Sequence, residues 1–245
     1  MTESNKLLGI IGGMGTQATA CFYEVLHSQQ SVASEQEYID VLLYSKPSIP
    51  DRTAYITGQS SESPLGHMIR AAQILESAGV SCIAIPCATS HFFFTDLIKS
   101  VNVPVLNILE ETAAYVKECG IKTVCLLATD GTLKGGYFHK AFEKHAITVT
   151  VPSKSAQADL MEIIYDIKRG EDVSADIFGS IIAEAQANGA EAVVLGCTEL
   201  CVITSKTGDK TAASSYAGNF SVINILEVLS EAAISFLKID TGAIV

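Results

Sequence analysis

Along the chain, short apolar runs rich in Val, Ile and Leu alternate with longer segments whose apolar positions recur at helical spacing. The runs are LLGII, YIDVLLYS, SCIAIP, VPVLNI, TVCLLA, ITVTVP, AEAVVLG and FSVINI. Amphipathic stretches long enough for a crossover helix lie between several of them, such as GHMIRAAQILESAG and the segment from Tyr137 to Lys144. Near-continuous apolar strands separated by helices predict parallel sheet covered on both faces, an α/β fold. One polar, small-residue stretch, TSKTGDKTAASSYAGN at 204–219, predicts a long surface loop.

The pattern also repeats. AAQILESAGVSCIAIPC ends at Cys87, and IIAEAQANGAEAVVLGC ends at Cys197. In each, an amphipathic helix ends in glycine (Gly79 or Gly189), a strand follows, and the cysteine stands eight residues beyond that glycine. The string NILE recurs at Asn107–Glu110 and Asn224–Glu227, while LLGIIGGMGT and VCLLATDGT both run from strand to glycine turn. Landmarks in the same order predict two pseudo-symmetric α/β halves, 1–107 and 108–219, with the segment 220–245 returning to the first. Ligands in open α/β sheets bind beyond the carboxyl ends of the strands. Cys87 and Cys197 are therefore expected to face each other across the cleft between the halves.

Composition narrows the function. The chain has 245 residues, 48% of them hydrophobic, enough for a sizeable core. A formal net charge of −11 argues against nucleic acid or an anionic membrane surface, since each needs a basic face. The N-terminal MTESNKLLGIIGGMG lacks a basic n-region, and no stretch approaches the roughly 18 apolar residues of a membrane span. Seven cysteines without a C-x-x-C do not read as a disulfide framework, so a reducing cytoplasm is the expected compartment. The GIIGGMG turn is spaced G-x-x-G-G-x-G and fails the dinucleotide fingerprint; Asp40 also begins the second strand, where a ribose-binding acid would end it. Gly12, Gly13 and Gly15 instead read as letting backbone approach a substrate, or as a plain tight turn.

The cysteines carry the candidate chemistry. A cysteine just past a strand and at a helix start meets backbone N–H groups and the positive dipole end, which favour thiolate. An unperturbed thiol titrates near pH 8.5 (approximately), close enough to neutral to take or give a proton. One thiol on each side of a bound carbon has the geometry of a two-base racemase or epimerase.

GIIGGMG (9–15), IPDRTAYI (49–56), PCATSH (86–91), EETA (110–113), LLATDGT (126–132), IIYDIKRG (163–170) and GCTEL (196–200) together span most of the chain. In these strings the chain resembles the aspartate/glutamate racemase superfamily, and within it the cofactor-independent aspartate racemase branch. The resemblance implies a pseudo-symmetric two-domain α/β homodimer that interconverts L- and D-aspartate, or glutamate, without pyridoxal phosphate or metal. It implies Cys87 as the base on the D face and Cys197 as the base on the L face. Glu199 stands where glutamate racemases usually carry histidine, which favours the aspartate branch. Arg52, one of three arginines, suits a bidentate grip on a side-chain carboxylate. Lys168 is a second cation at that carboxylate, or a plain lysine at a helix C-terminus. Thr89 and Thr198 offer donors to the α-carboxylate, or only cap helices. Met14, in the glycine turn, and Glu199 and Ala88, beside the cysteines, complete the expected binding set. The chain departs from the family pattern at Ala88 (asparagine expected), Thr16 (proline) and Asn224 (aspartate), which touches the substrate more than the chemistry.

Rival readings remain at this level. Cys87 with His91 and Cys197 with Cys201, each at i,i+4 spacing, could together build a tetrahedral zinc site. The chain could bind an amino acid without catalysis, or run another reaction of the superfamily such as broad-specificity racemisation, decarboxylation or isomerisation. His91 is a hydrogen-bond partner near Cys87 or a satisfied structural histidine. Cys21, Cys82, Cys119 and Cys125 read as packing residues.

Overall fold

The computed structural model describes residues 7–205 and 220–238. Strands β1 (Leu7–Gly12), β2 (Asp40–Ser45) and β3 (Cys82–Ala84) form one parallel sheet in the order β2-β1-β3. Strands β4 (Thr123–Leu127), β5 (Thr148–Thr150), β6 (Ala192–Leu195) and β7 (Ser221–Asn224) form a second parallel sheet in the order β5-β4-β6-β7. The fold is α/β with two parallel-sheet halves. In each half the strand that leads to the candidate cysteine, β3 to Cys87 or β6 to Cys197, lies beside the half's first strand.

The run VPVLNI, expected as a strand, contributes a single bridge, Ile83 to Val105. The Ile83 N–H donates to Pro104 and the Leu106 N–H donates to Ile83, both at 2.8 Å. Pro104 has no N–H with which to extend the ladder. The bridge occupies, beside β3, the place that β7 occupies beside β6.

The repeated helix–glycine–strand unit is built twice. Helix Leu65–Ser77 ends before Gly79 at φ 82°, and the helix spanning Ala175–Ala187 ends before Gly189 at φ 83°. Both glycines take the left-handed conformation that closes a helix C-terminus, where a Cβ would be strained. Buried faces drive the rest: β6 is apolar and buried at all four positions, as expected for a strand covered on both sides.

The C-terminal segment is shared between the halves. Its strand β7 pairs with β6 in the second sheet, correcting the expectation that everything from 220 onward rejoins the first half. Ile223 and Asn224, at 5% and 7% exposure, are buried by that pairing. The helix that follows, Ile225–Lys238, crosses to α1 (Thr16–Ser28), β1 and β3 of the first half. Helix Ile108–Glu118, which follows the Val105 bridge on the first sheet, packs on helix Tyr137–Glu143 of the second half. The two crossing helices also pack on each other. Thr204 and Ser205, expected in a loop, end helix Thr198–Ser205, and the remainder of that expected loop, 206–219, lies outside the described residues.

The turn after β1 is tightly confined. Gly13 has φ 88°, and a Cβ there would stand 2.5 Å from the Lys46 backbone. Gly13→Ala is expected to cost about 1–3 kcal/mol, through a positive φ and a clash that no side chain can relieve. Urea denaturation measures it; an unchanged midpoint would show that the turn relaxes freely.

Candidate active site

Both cysteines follow directly from the strands. After β3, Ile85 and Pro86 lead to Cys87, whose N–H donates to the Ile85 carbonyl at 2.7 Å. The chain then enters a 3-10 turn, Thr89–Phe93, rather than the α-helix expected there; the α-helix that follows is a single turn, Phe94–Leu97. So short a helix offers Cys87 little dipole. After β6, Gly196 packs so closely on Leu126 that a Cβ would lie 2.4 Å from its Cδ1. Cys197 follows and then helix Thr198–Ser205, so here the expected helix start is present. Each cysteine is 4% exposed.

Hydroxyls join the two halves. Thr198 Oγ1 donates to the Pro86 carbonyl at 3.1 Å, tying the loop of one cysteine to the loop of the other. Thr89 Oγ1 lies 3.1 Å from Thr129 Oγ1 and 2.9 Å from Thr132 Oγ1, and those two lie 3.0 Å apart. The result is a buried triangle of hydroxyls with members from both halves. Both threonine hydroxyls expected to meet a substrate carboxylate are thus engaged within the protein.

Charge gathers around Cys197. Its thiol donates to Glu199 Oε2 at 2.9 Å. Glu199 Oε1 lies 3.2 Å from Lys168 Nζ, an ion pair whose side chains are 3% and 20% exposed. Among the described residues that oxygen lacks a well-aligned hydrogen bond, so the pairing with Lys168 rests on charge. Gly15 lies against the same oxygen: a Cβ there would come within 2.7 Å of it. Burial, and then the Glu199 carboxylate, push the Cys197 thiol well above its ordinary value, against the opposing pull of Lys168. Burial alone would lower the Lys168 ammonium; Glu199, Cys197 and Cys87 outweigh it and hold the lysine charged, while Arg52 opposes them. Lys168 is therefore within electrostatic reach of both cysteines and of Arg52. It also lies 5.9 Å from the Tyr165 ring centre.

Arg52 opens the short helix Arg52–Thr57, capped by Asp51, whose carboxylate accepts the Ala54 N–H at 2.7 Å. Its Nη1 donates to the carbonyls of Ile49 and Pro50, and its Nη2 to that of Met14 at 3.0 Å. The residue is 6% exposed, and its buried Nε has no acceptor among the described residues. No carboxylate is ion-paired with it among those residues. Met14 thus enters the site through its carbonyl, while the residue itself is buried in the core. Ala88 packs in the apolar core at 4% exposure and brings no polar group.

His91 is a satisfied structural histidine. Its Nδ1 lies 3.0 Å from the Cys87 carbonyl, and its Nε2 accepts the Ile108 N–H at 3.3 Å. A neutral ring with the proton on Nδ1 meets both partners, so His91 holds the Cys87 loop to the first crossing helix. With both ring nitrogens engaged, it is not available to a metal beside Cys87, and Cys201 directs its thiol to the Leu195 carbonyl at 3.8 Å. Among the described residues, no three His, Cys, Asp or Glu side chains are grouped to hold a metal ion. Cys21, Cys82 and Cys125 are buried as expected, but Cys119 is exposed, because it caps the end of a helix instead of continuing its apolar face.

Several partners were not legible in the sequence. Thr129 and Thr132, and the Tyr165 hydroxyl 3.5 Å from Asp51, are brought in by tertiary packing. Only the match between LLATDGT and the first glycine turn hinted at the threonines. A groove of about 350 Å³ runs between the two crossing helices, past Tyr115 and Phe236, and neither cysteine lines it.

Two parallel-sheet α/β halves thus place one buried cysteine just beyond β3 and another just beyond β6, in loops joined by Thr198. The family model described as Asp/Glu/Hydantoin racemase matches residues 11–232, and the chain belongs to that family. The structure of a Picrophilus torridus aspartate racemase is similar, with a TM-score of 0.82 and 30% identity over 94% of each chain. An aspartate racemase homologue from Pyrococcus horikoshii OT3 has a TM-score of 0.73 and 26% identity, covering 95% of this chain and 99% of that one. A broad specificity amino-acid racemase of Bacillus subtilis is 24% identical over 205 residues, 79% of this chain and 86% of its own. No described helix is long and apolar enough to cross a membrane.

The buried histidine gives the fold a pH dependence. Burial lowers His91 from 6.5 to about 4, against backbone hydrogen bonds that raise it. Between those values the unfolded chain binds a proton that the native protein does not. Stability from this site is therefore complete above pH 6.5 and lost as pH falls through 4, roughly 3 kcal/mol in all. Urea midpoints across this window should fall with acid, and fall less steeply in His91→Gln. An identical slope in the variant would assign the effect to other groups.

Proposed function

We propose that the protein racemises acidic amino acids, aspartate foremost, by passing the α-proton between Cys87 and Cys197 without a cofactor. The observation that carries this reading is the joining of the two cysteine loops by Thr198 and Pro86 at the ends of equivalent strands. The names of the Picrophilus and Pyrococcus relatives support aspartate. The broad specificity of the Bacillus relative, together with the apolar Ala88, supports a wider substrate range as the second reading.

In the forward step, the thiolate of one cysteine removes the α-hydrogen from one face. The thiol of the other delivers its proton to the opposite face, so the carbon inverts and the two sulfurs exchange protonation states. Solvent then resets the pair. Arg52, a buried cation without a carboxylate partner among the described residues, is assigned the substrate's side-chain carboxylate. The α-carboxylate is assigned to backbone N–H groups at the start of helix Thr198–Ser205, where the dipole favours an anion. Because both thiols are buried, substrate binding requires the halves to part, and closure then excludes water from the proton transfer.

Each single Cys→Ser variant should lose racemisation and keep one face of exchange. In deuterated water, Cys197→Ser should exchange the α-hydrogen of D-aspartate through Cys87, and Cys87→Ser that of L-aspartate through Cys197, both without inversion. Racemisation surviving in either variant would falsify the two-base assignment; exchange with the opposite preference would only reverse the faces. Arg52→Lys should raise KM for dicarboxylic substrates by roughly 10- to 100-fold, since a point charge cannot replace the planar fork. Unchanged aspartate kinetics would remove Arg52 from the binding site.

A further inference from the structure

The two thiols are not equivalent. Cys197 donates to a buried carboxylate, Glu199 Oε2, at 2.9 Å. Among the described residues, no side chain hydrogen-bonds the Cys87 sulfur; the bonds at Cys87 run through its backbone to Ile85, Ser90 and His91. Glu199 cannot easily turn away, because Lys168 lies 3.2 Å from its other oxygen and Gly15 closes on that same oxygen. The charged groups bearing on Cys197 are Glu199 from its own helix and Lys168 from helix Lys154–Arg169, with Arg52 and Cys87 beyond the lysine.

We propose that Glu199 is a positioning residue that keeps the proton on Cys197, so that, of the two thiols, Cys87 is the one left to act as base. The inference rests on the racemase reading above and deepens it. A Cys197 thiolate would put a second negative charge beside a carboxylate already anchored by Lys168, whereas the thiol form gains an acceptor. Of the two singly ionised forms that the reaction can use, Cys87 thiolate with Cys197 thiol is then the favoured one, matched to the enantiomer whose α-hydrogen faces Cys87. Turnover of that enantiomer moves one proton from carbon to Cys87 and one from Cys197 to carbon. It leaves the thiolate at Cys197, against Glu199, until solvent returns a proton there and takes one from Cys87. Turnover of the other enantiomer must begin from that disfavoured form. Since racemisation has an equilibrium constant of one, kcat/KM stays equal for the two hands at every pH. The asymmetry must therefore show as kcat and KM differing together between enantiomers.

The test isolates Cys197. In Cys87→Ser, the rate of Cys197 alkylation by iodoacetamide is followed against pH by peptide mass, because the exposed Cys119 also reacts. With Glu199 present, the midpoint should lie above the roughly 8.5 of a free thiol. Adding Glu199→Gln keeps the size and an acceptor but removes the charge, and should lower the midpoint by roughly 1–3 pH units. Glu199→Asp keeps the charge and should restore most of the difference. A midpoint at or below that of a free thiol in Cys87→Ser alone overturns the proposal, even if the Gln variant does not fold. So does a midpoint that stays or rises with Glu199→Gln. Deuterium exchange in the same proteins separates the two claims, since alkylation needs no substrate. A midpoint that shifts as expected, with no α-hydrogen exchange from any amino acid, leaves Glu199 in its role and overturns the racemase reading.

Discussion

The hydrogen bond from Thr198 to the Pro86 carbonyl is the contact on which the site depends. Two similar halves folded separately would each present one cysteine in an arbitrary relation to the other. This bond fixes the loop of Cys197 against the loop of Cys87 within a single buried contact. Its surroundings leave few alternatives. The hydroxyl triangle of Thr89, Thr129 and Thr132 satisfies polar groups from both halves where water is excluded. Gly131 lies so close to Thr53 that a Cβ would stand 2.8 Å from its Cα. Helices Ile108–Glu118 and Ile225–Lys238 pack on each other, the first also on helix Tyr137–Glu143 of the second half and the second on β1 and β3 of the first.

Electrostatics follows from this closure. The chain as a whole has a net charge of −11, whereas the cleft holds Arg52 and Lys168 against Glu199. Burying charges is costly unless each finds a partner. Lys168 and Glu199 partner each other and a thiol, while Arg52 spends its donors on carbonyls and, among the described residues, leaves Nε unused. The imbalance suits a site that receives an anion. It also divides the labour, with one cation assigned to the substrate and the other to the carboxylate that faces a sulfur.

Much of this could be read from the sequence because it is local and periodic. The alternation of strands and helices, the left-handed glycines eight residues before each cysteine, and the repeated NILE string all depend on neighbours in the chain. What could not be read depends on distant partners or on backbone chemistry. VPVLNI has the composition of a strand, but Pro104 limits it to a bridge. β7 joins the second sheet while its helix joins the first half, a division that apolar pattern alone does not encode. Glu199 was legible as a family marker, yet its grip on Cys197 required Lys168 from another helix and Gly15 from another turn. The threonines after the cysteines were legible as donors, but their acceptors were not.

The most direct measurement is chiral chromatography of amino acids incubated with the wild-type protein after exhaustive dialysis against a chelator. L-Aspartate should drift to an equal mixture of enantiomers with no addition to the buffer, faster than apolar amino acids of similar size. In deuterated water, the label should enter the product enantiomer before the substrate, because the proton removed and the proton delivered belong to different sulfurs. Label appearing in substrate and product together from the first turnovers, or racemisation that returns only when metal or pyridoxal phosphate is supplied, would contradict a cofactor-free reaction between two thiols.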